Sequence, residues 1–330
     1  MENNSILKTK DKEPLLEVKD FSLSFTEYKD GFEESFVQVI KNFELTINAG
    51  EIVAVLGSSG SGKSLLADAI LGILPDNSET KGTIYFENEL LTVARQNQIR
   101  GKEIALIPQS VKALDPLMKT GRQVQNAIRD KKDKIRIQEE AFRKLGLPEG
   151  TGKLYPFELS GGMARRVLIA TAMVGDAKLI IADEPTPGLD KANLEETLSH
   201  IKQLGSANSG MMFITHDIYA AIEIANKIAV FYAGETIEIA NKEDFSGQGE
   251  NLKHPYTKAL LSAIPVPDLG ERKKRIILKG EIISPIDMPE ECRFAKRCLY
   301  TCNTCTDHIP ELREVTPNHF VACEFPLGVK

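Results

Sequence analysis

Apolar residues in this chain fall into two textures: short runs that are apolar almost throughout, and longer segments with apolar positions at helical spacing. The polar opening, residues 1–14, reads as a disordered leader. Between Leu15 and Asn48, "LLEVKDFSLSF" and "FVQVIKNFELTI" read as strands, with the polar "TEYKDGFEES" as a hairpin loop between them. "EIVAVLG" (51–57) is a fully apolar strand ending in glycine, and "LLADAILGIL" (65–74) follows at once with helical spacing. "GKEIALIPQ" (101–109), "KLIIADE" (178–184) and "GMMFITHD" (210–217) repeat the buried-strand texture. Residues 115–175 are richer in helix signals, among them "QEEAFRKLGL" and "ARRVLIATAMVG". "KIAVFYAGETIEIA" (227–240) reads as a hairpin centred on Ala233 and Gly234. Buried apolar strands alternating with helices predict an α/β fold around a parallel sheet. Near residue 250 the periodicity fades and prolines cluster, which places a domain boundary there. The nucleotide-binding pattern described below occurs once, without internal repeat.

Composition narrows the class. The 330 residues are 42% hydrophobic and 27% charged, as expected of a globular protein with a substantial core. The formal net charge of -6 argues against nonspecific nucleic-acid binding. No run approaches the roughly 18 apolar residues that cross a bilayer, and the N-terminus lacks the apolar core of a signal peptide. The expectation is a cytosolic chain with reduced thiols. All five cysteines lie between residues 292 and 323, an odd and clustered set that argues against a disulfide scaffold.

"GSSGSGKS" (57–64) fits the phosphate-binding pattern G-x-x-x-x-G-K-[ST] and sits between a strand and a helix, as that pattern requires. Its glycines let backbone N–H groups turn toward phosphate oxygens. Lys63 supplies a charge to the β- and γ-phosphates, and Ser64 a hydroxyl to Mg²⁺. Gly57, Ser58, Ser59, Gly60, Ser61, Gly62, Lys63, Ser64 and Leu65 are therefore candidate ATP contacts. "LIIADE" ends its strand in two acids. Asp183 is the candidate Mg²⁺ ligand, and Glu184 the candidate general base for a water at the γ-phosphate.

Four further motifs complete a resemblance to the ABC ATPases. "LSGGM" (159–163) resembles their signature, "IPQ" with Gln109 their Q-loop, "PGLD" (187–190) their D-loop, and "ITHD" with His216 their switch-histidine loop. The resemblance implies ATP sandwiched between two such domains. Ser160, Gly161 and Gly162 would complete a partner's site, and Asp190 would join the halves. His216 would hold the γ-phosphate and attacking water with Glu184. Gln109 would sense Mg²⁺ and link the site to a membrane subunit. The family stacks an aromatic ring on adenine, and Phe25 is the candidate, with a core phenylalanine as the other reading.

From Leu15 to Cys323 the chain also resembles the importer ATPases for oligopeptides, dipeptides and nickel, through "KHPYTKALLSAIPVPD" (253–268), "IANKIAVFYAGETIE" and "LDPLMKTGRQV". Those work as a heterodimer of D-type and F-type ATPase subunits on two permease subunits fed by an extracytoplasmic substrate-binding protein. "LSGGM" points to the D-type chain. The implied place is the cytoplasmic face of the membrane, held through the permeases. Three departures stand out: Arg165 where the family usually has glutamine, "SVKAL" after the Q-loop, and "PGLD" for the commoner "SALD". The expected organisation is a leader over 1–14, an ATPase domain over 15–250 with a helical subdomain at about 110–175, and a cysteine-rich metal-binding extension over 251–330. An ABC ATPase acting on nucleic acid or ribosomes is the alternative, disfavoured by a single P-loop and the acidic charge. An ABC exporter ATPase is another, disfavoured by the "HPYT" tail.

The cysteine spacing in the extension, Cys292-x₅-Cys298-x₆-Cys305-x₁₇-Cys323, matches four cysteines of the same importers, with Cys302 extra. The resemblance implies a [4Fe–4S] cluster on those four thiolates. A structural Zn²⁺ site drawing on Cys302, Cys305, His308 and His319 is a second reading, and inert thiols a third. With few apolar runs in the tail, metal ligation is expected to substitute for a core there.

Overall fold

The computed structural model describes residues 13–29, 33–129, 132–188, 191–205, 208–264, 275–281, 283 and 288–329. Two sheets form the molecule. An antiparallel sheet, in the order β2-β1-β4-β5, is built from β1 (Pro14–Lys29), β2 (Glu33–Asn48), β4 (Ser78–Phe86) and β5 (Glu89–Leu90). The larger sheet runs β11-β12-β10-β9-β3-β8-β7-β6. Its parallel part comprises β9 (Lys227–Tyr232), β3 (Ile52–Gly57), β8 (Gly210–Thr215), β7 (Leu179–Asp183) and β6 (Ile104–Ile107). Beyond β9, β10 (Glu235–Asn241), β12 (His319–Val321) and β11 (Arg313–Thr316) add antiparallel. The expected parallel α/β sheet is present.

The uninterrupted apolar strands are explained by burial on both faces. Ile52, Ala54 and Leu56 enter one core with residues of the helices α5 (Gly161–Val174), α6 (Lys191–Leu204) and α7 (Ile218–Ile224). Val53 and Val55 enter the other, with the antiparallel sheet and α1 (Lys63–Leu71). β7 and β8 split the same way, Ile180 and Phe213 to the first core, Ile181 and Ile214 to the second. Completing the helices, α2 (Val93–Ile99) contacts α1, while α3 (Thr120–Ala127) and α4 (Lys134–Lys144) pack on α5 as the helical subdomain.

Two expectations change. The polar "TEYKDGFEES" is mostly strand, since β1 runs to Lys29 and β2 starts at Glu33, with Thr26 still opposite Phe36. Backbone pairing carries the ribbon through this polar stretch. The C-terminal extension, in turn, does not lack an apolar core. Phe294 packs against both Tyr232 of β9 and Tyr256 of α8 (Pro255–Ser262), with ring centroids 5.4 and 5.6 Å away, and those two rings are 4.6 Å from each other. Buried Glu238 of β10 accepts from Lys253 N at 2.6 Å, His254 N at 3.1 Å and His319 Nε2 at 2.7 Å. One carboxylate thereby ties the "HPYT" turn and strand β12 to the main sheet.

Candidate active site

The P-loop follows from where β3 must end. A Cβ on Gly57 would lie 2.5 Å from the Phe231 carbonyl, so only glycine lets β3 lie this close to β9. Gly62, at φ 96°, turns the chain into α1 through the left-handed region. Lys63 is buried and its Nζ donates to the carbonyls of Gly57 (2.9 Å) and Ser58 (2.7 Å). It also stands 3.8 Å from Glu184 Oε1. Burial pushes the Lys63 ammonium below its ordinary value, against the pull of Glu184 and Asp183.

The end of β7 faces this loop. Ser64 Oγ donates to Asp183 Oδ1 at 3.1 Å, joining two of the three candidate Mg²⁺ ligands, Gln109 being the third. Burial raises the Asp183 carboxyl above the usual range, opposed by the Ser64 hydroxyl. A divalent cation there would reverse that preference by favouring the carboxylate. The hydroxyl and carboxylate are oxygen donors, the type Mg²⁺ takes, so the residues present fit the ion. Glu184 sits just past β7 at φ 44°, with its N–H bonded to the Ile214 carbonyl at 2.9 Å. A non-glycine residue rarely adopts that conformation, and strain of this kind concentrates at functional sites. Its side chain is buried, and His216 Nδ1 donates to Glu184 Oε2 across 2.5 Å. Lys63, Ser64, Asp183, Glu184 and His216 thus form one connected group.

Other candidates lie apart from it. Ser160 caps α5 by accepting from Met163 N at 3.2 Å. Ser160, Gly161 and Gly162 are exposed, and a Cβ on either glycine would meet nothing within 4 Å. Among the described residues their lack of side chains serves no packing, and it leaves the helix N-terminus open to approach. Gln109 is exposed after β6, and Phe25 is half-buried against the core beneath the antiparallel sheet. Asp190 lies outside the described residues.

Cys292 N donates to the Cys305 carbonyl at 3.1 Å, and Cys302 Sγ lies 3.5 Å from Cys305 Sγ. Burial pushes the Cys292 and Cys323 thiols up to about 11, and negative charge on the neighbouring thiols adds to it. Cys292, Cys298 and Cys305 all act on Cys323 this way. The four expected cysteines are thus near enough to oppose one another's ionisation, which a cationic metal group would relieve. Among the described residues, however, no three His, Cys, Asp or Glu side chains converge as ligands of one ion. The alternative zinc set does not assemble: His319 is committed to Glu238, and His308 Nε2 donates to Glu324 at 3.0 Å.

Comparison with known proteins agrees with this arrangement. The ABC transporter family model matches residues 40–187, and the model for the C-terminal region of oligopeptide/dipeptide transporters matches residues 237–305. The oligopeptide transport ATP-binding protein OppD of Escherichia coli K12 is 33% identical over 327 residues, covering 95% of this chain and 94% of that protein. The chain belongs to the ATP-binding proteins of ABC transporters.

Another ABC ATP-binding protein, a putative peptide import protein of Brucella ovis, is 33% identical over 87% of this chain and 92% of its own length. Among solved structures, the dimeric ABC cassette MJ0796 in a post-hydrolysis state bound to ADP and Pi superimposes with a TM-score of 0.59 at 25% identity, covering 69% of this chain and 98% of that one. The ABC match holds the P-loop, signature and acid pair, and ends before His216; the C-terminal match ends at Cys305, before Cys323. No described helix is long and apolar enough to cross a membrane. The ABC motifs do not reveal the outer wall of the P-loop pocket, where Val39, Ala233 and Gly234 stand beside Ser58–Ser61. The hairpin at Ala233 and Gly234 is legible in the sequence, but its position against the P-loop depends on strand order.

Proposed function

We propose that this chain is the ATP-hydrolysing subunit of an importer for oligopeptides or dipeptides. The single observation that carries the chemistry is the connected group Lys63–Glu184–His216 beside Ser64 and Asp183. Lys63 gives up its carbonyl contacts to phosphate oxygens when nucleotide enters. Ser64 and Asp183, with Gln109, would hold Mg²⁺, which would neutralise phosphate charge. Glu184 accepts the proton of the attacking water, and His216 fixes the orientation of that carboxylate. Phe25 stacks on adenine. The open Ser160–Gly162 terminus meets the phosphates bound by a second ATPase subunit, and Asp190 lies at that junction. The dimeric state of MJ0796 supports such pairing. The partner is a homologous F-type chain in a heterodimer, working on two permeases and a substrate-binding protein.

The peptide-transport names of the relatives favour peptides over nickel or metal chelates as cargo. No feature favours a nucleic-acid role, and the net charge of -6 opposes it. The deciding variant is Glu184→Gln in the assembled transporter. We expect ATP binding to persist while hydrolysis falls about a hundredfold or more; turnover near wild type would remove Glu184 from the base role.

The extension is proposed to hold a [4Fe–4S] cluster on Cys292, Cys298, Cys305 and Cys323, supported by the spacing of these cysteines and by the backbone bond from Cys292 N to the Cys305 carbonyl. When bound, the group cross-links the segments that carry these cysteines. Iron, acid-labile sulfide and zinc are to be measured on anaerobically purified chain. About four iron and four sulfide per chain, lost in Cys298→Ala, are expected; zinc without iron would replace the cluster with a structural zinc site.

A further inference from the structure

The P-loop leans on a wall that reaches into the cysteine-rich segment. Val39 of β2 stands 3.1 Å from where a Cβ on Gly62 would lie. Lys41 N, two residues on, donates to the Gly234 carbonyl at 2.9 Å, so β2 is bonded to the β9–β10 turn. That turn lines the same pocket as Ser58–Ser61. It holds two successive residues at positive φ, Ala233 at 48° and Gly234 at 84°, and the alanine is there against its preference.

Arg293 holds this turn from the other side. It is 3% exposed, its Nη1 donates to the Ala233 carbonyl, and its Nε lies 3.2 Å from Glu235 Oε1, also buried. In sequence it stands between Cys292 and Phe294, the ring packed against Tyr232 and Tyr256. A guanidinium is the one side chain that can donate to a carbonyl and face a carboxylate at once from a fixed plane. A continuous set of contacts therefore runs from the cysteine segment through Arg293 to the turn, to β2 and to Gly62.

We propose that Arg293 is a positioning residue for nucleotide binding, which fixes the β9–β10 turn against β2 and the P-loop and so couples nucleotide affinity to the conformation of the cysteine-rich segment. The coupling is reciprocal: whatever Arg293 contributes to nucleotide binding, bound nucleotide returns as order in the cysteine segment. The proposal rests on the P-loop as the nucleotide site.

The test uses the full chain and Mg·ADP, with affinity read by calorimetry and local opening by amide hydrogen exchange. Wild type must bind ADP, and Lys63→Ala must bind it more weakly; failure of either sinks the nucleotide site itself. With both satisfied, Arg293→Met is expected to weaken ADP binding about five- to twentyfold. Exchange is expected to rise at Lys41 N and over Ser61–Leu65, with β7 and β8 unchanged. ADP is expected to slow exchange at the Cys292 and Cys298 amides in wild type and not in Arg293→Met. Glu290→Gln, which removes an exposed pair with Lys41 and leaves the Arg293 contacts to Ala233 and Glu235 in place, should bind as wild type does. ADP affinity equal to wild type in Arg293→Met, or extra exchange confined to residues 292–298, would overturn the proposal. If Arg293→Met does not fold, Arg293→Lys carries the same test. It keeps a charge for Glu235 and loses the fork, so weaker ADP binding at an unchanged unfolding midpoint supports the coupling and unchanged binding refutes it.

Discussion

Lys63 shows how a residue can be prepared for a ligand by what it does without one. Two backbone carbonyls and one carboxylate hold its ammonium in a buried place, and burial alone lowers its proton affinity. A nucleotide replaces those partial charges with phosphate oxygens of full charge. Lys63→Ala is therefore expected to weaken ATP binding about tenfold or more, by titration of the isolated chain, since charge-assisted bonds are the strong ones. Unchanged affinity would place the phosphates elsewhere. These residues were legible because the chemistry ties residue type to spacing: a glycine where β3 meets β9, a lysine and hydroxyl six and seven positions on, two acids closing an apolar strand. Arg293 was not legible. Its partners Ala233 and Glu235 lie 60 and 58 positions upstream, and no local pattern announces a side chain whose contacts depend on which strands are neighbours.

At the scale of elements, the strands and the helices after them were readable because burial on both faces leaves uninterrupted apolar runs. The β1–β2 ribbon was readable only in its apolar runs, because backbone pairing across the polar stretch leaves no apolar signature. The "HPYT" helix looked like a simple proline start, and α8 does have Pro255 in its first turn. What the sequence hid is that its cap, His254, is wholly buried and accepts from Tyr256 N at 3.1 Å. Burial pushes this imidazole down from 6.5 to about 4, against the pull of Glu238. Between those values the unfolded chain binds a proton that the folded chain refuses. Stability is therefore full above pH 6.5 and falls as pH drops toward 4, by about 3 kcal/mol at most. His254→Asn retains a capping side chain without a titrating group. Urea unfolding midpoints at pH 7.5, 5.5 and 4.5 should drop less for the variant than for wild type. Parallel slopes would assign the acid sensitivity to another group.

For the whole molecule, Glu238 decides whether the extension is an appendage or a part of the body. Its two oxygens receive two backbone N–H groups and an imidazole from segments 15 to 81 positions away. Glu238→Gln leaves one acceptor oxygen and turns an NH₂ toward a donor. The expected cost is about 3 kcal/mol, concentrated on the C-terminal segments. Limited proteolysis should then cut within 291–329 sooner than in wild type; a variant as resistant as wild type would deny Glu238 this role. The docking has one more consequence. Strand β10, "ETIEIAN", would be a bare edge of the large sheet, with unpaired amides and carbonyls beside apolar side chains. β12 covers that edge and β11, four residues with Arg313 and Glu314 exposed, closes it with a short polar strand. Loss of the extension by truncation or damage would thus uncover a template for sheet-to-sheet association, so shortened chains should aggregate even where their ATP site is intact.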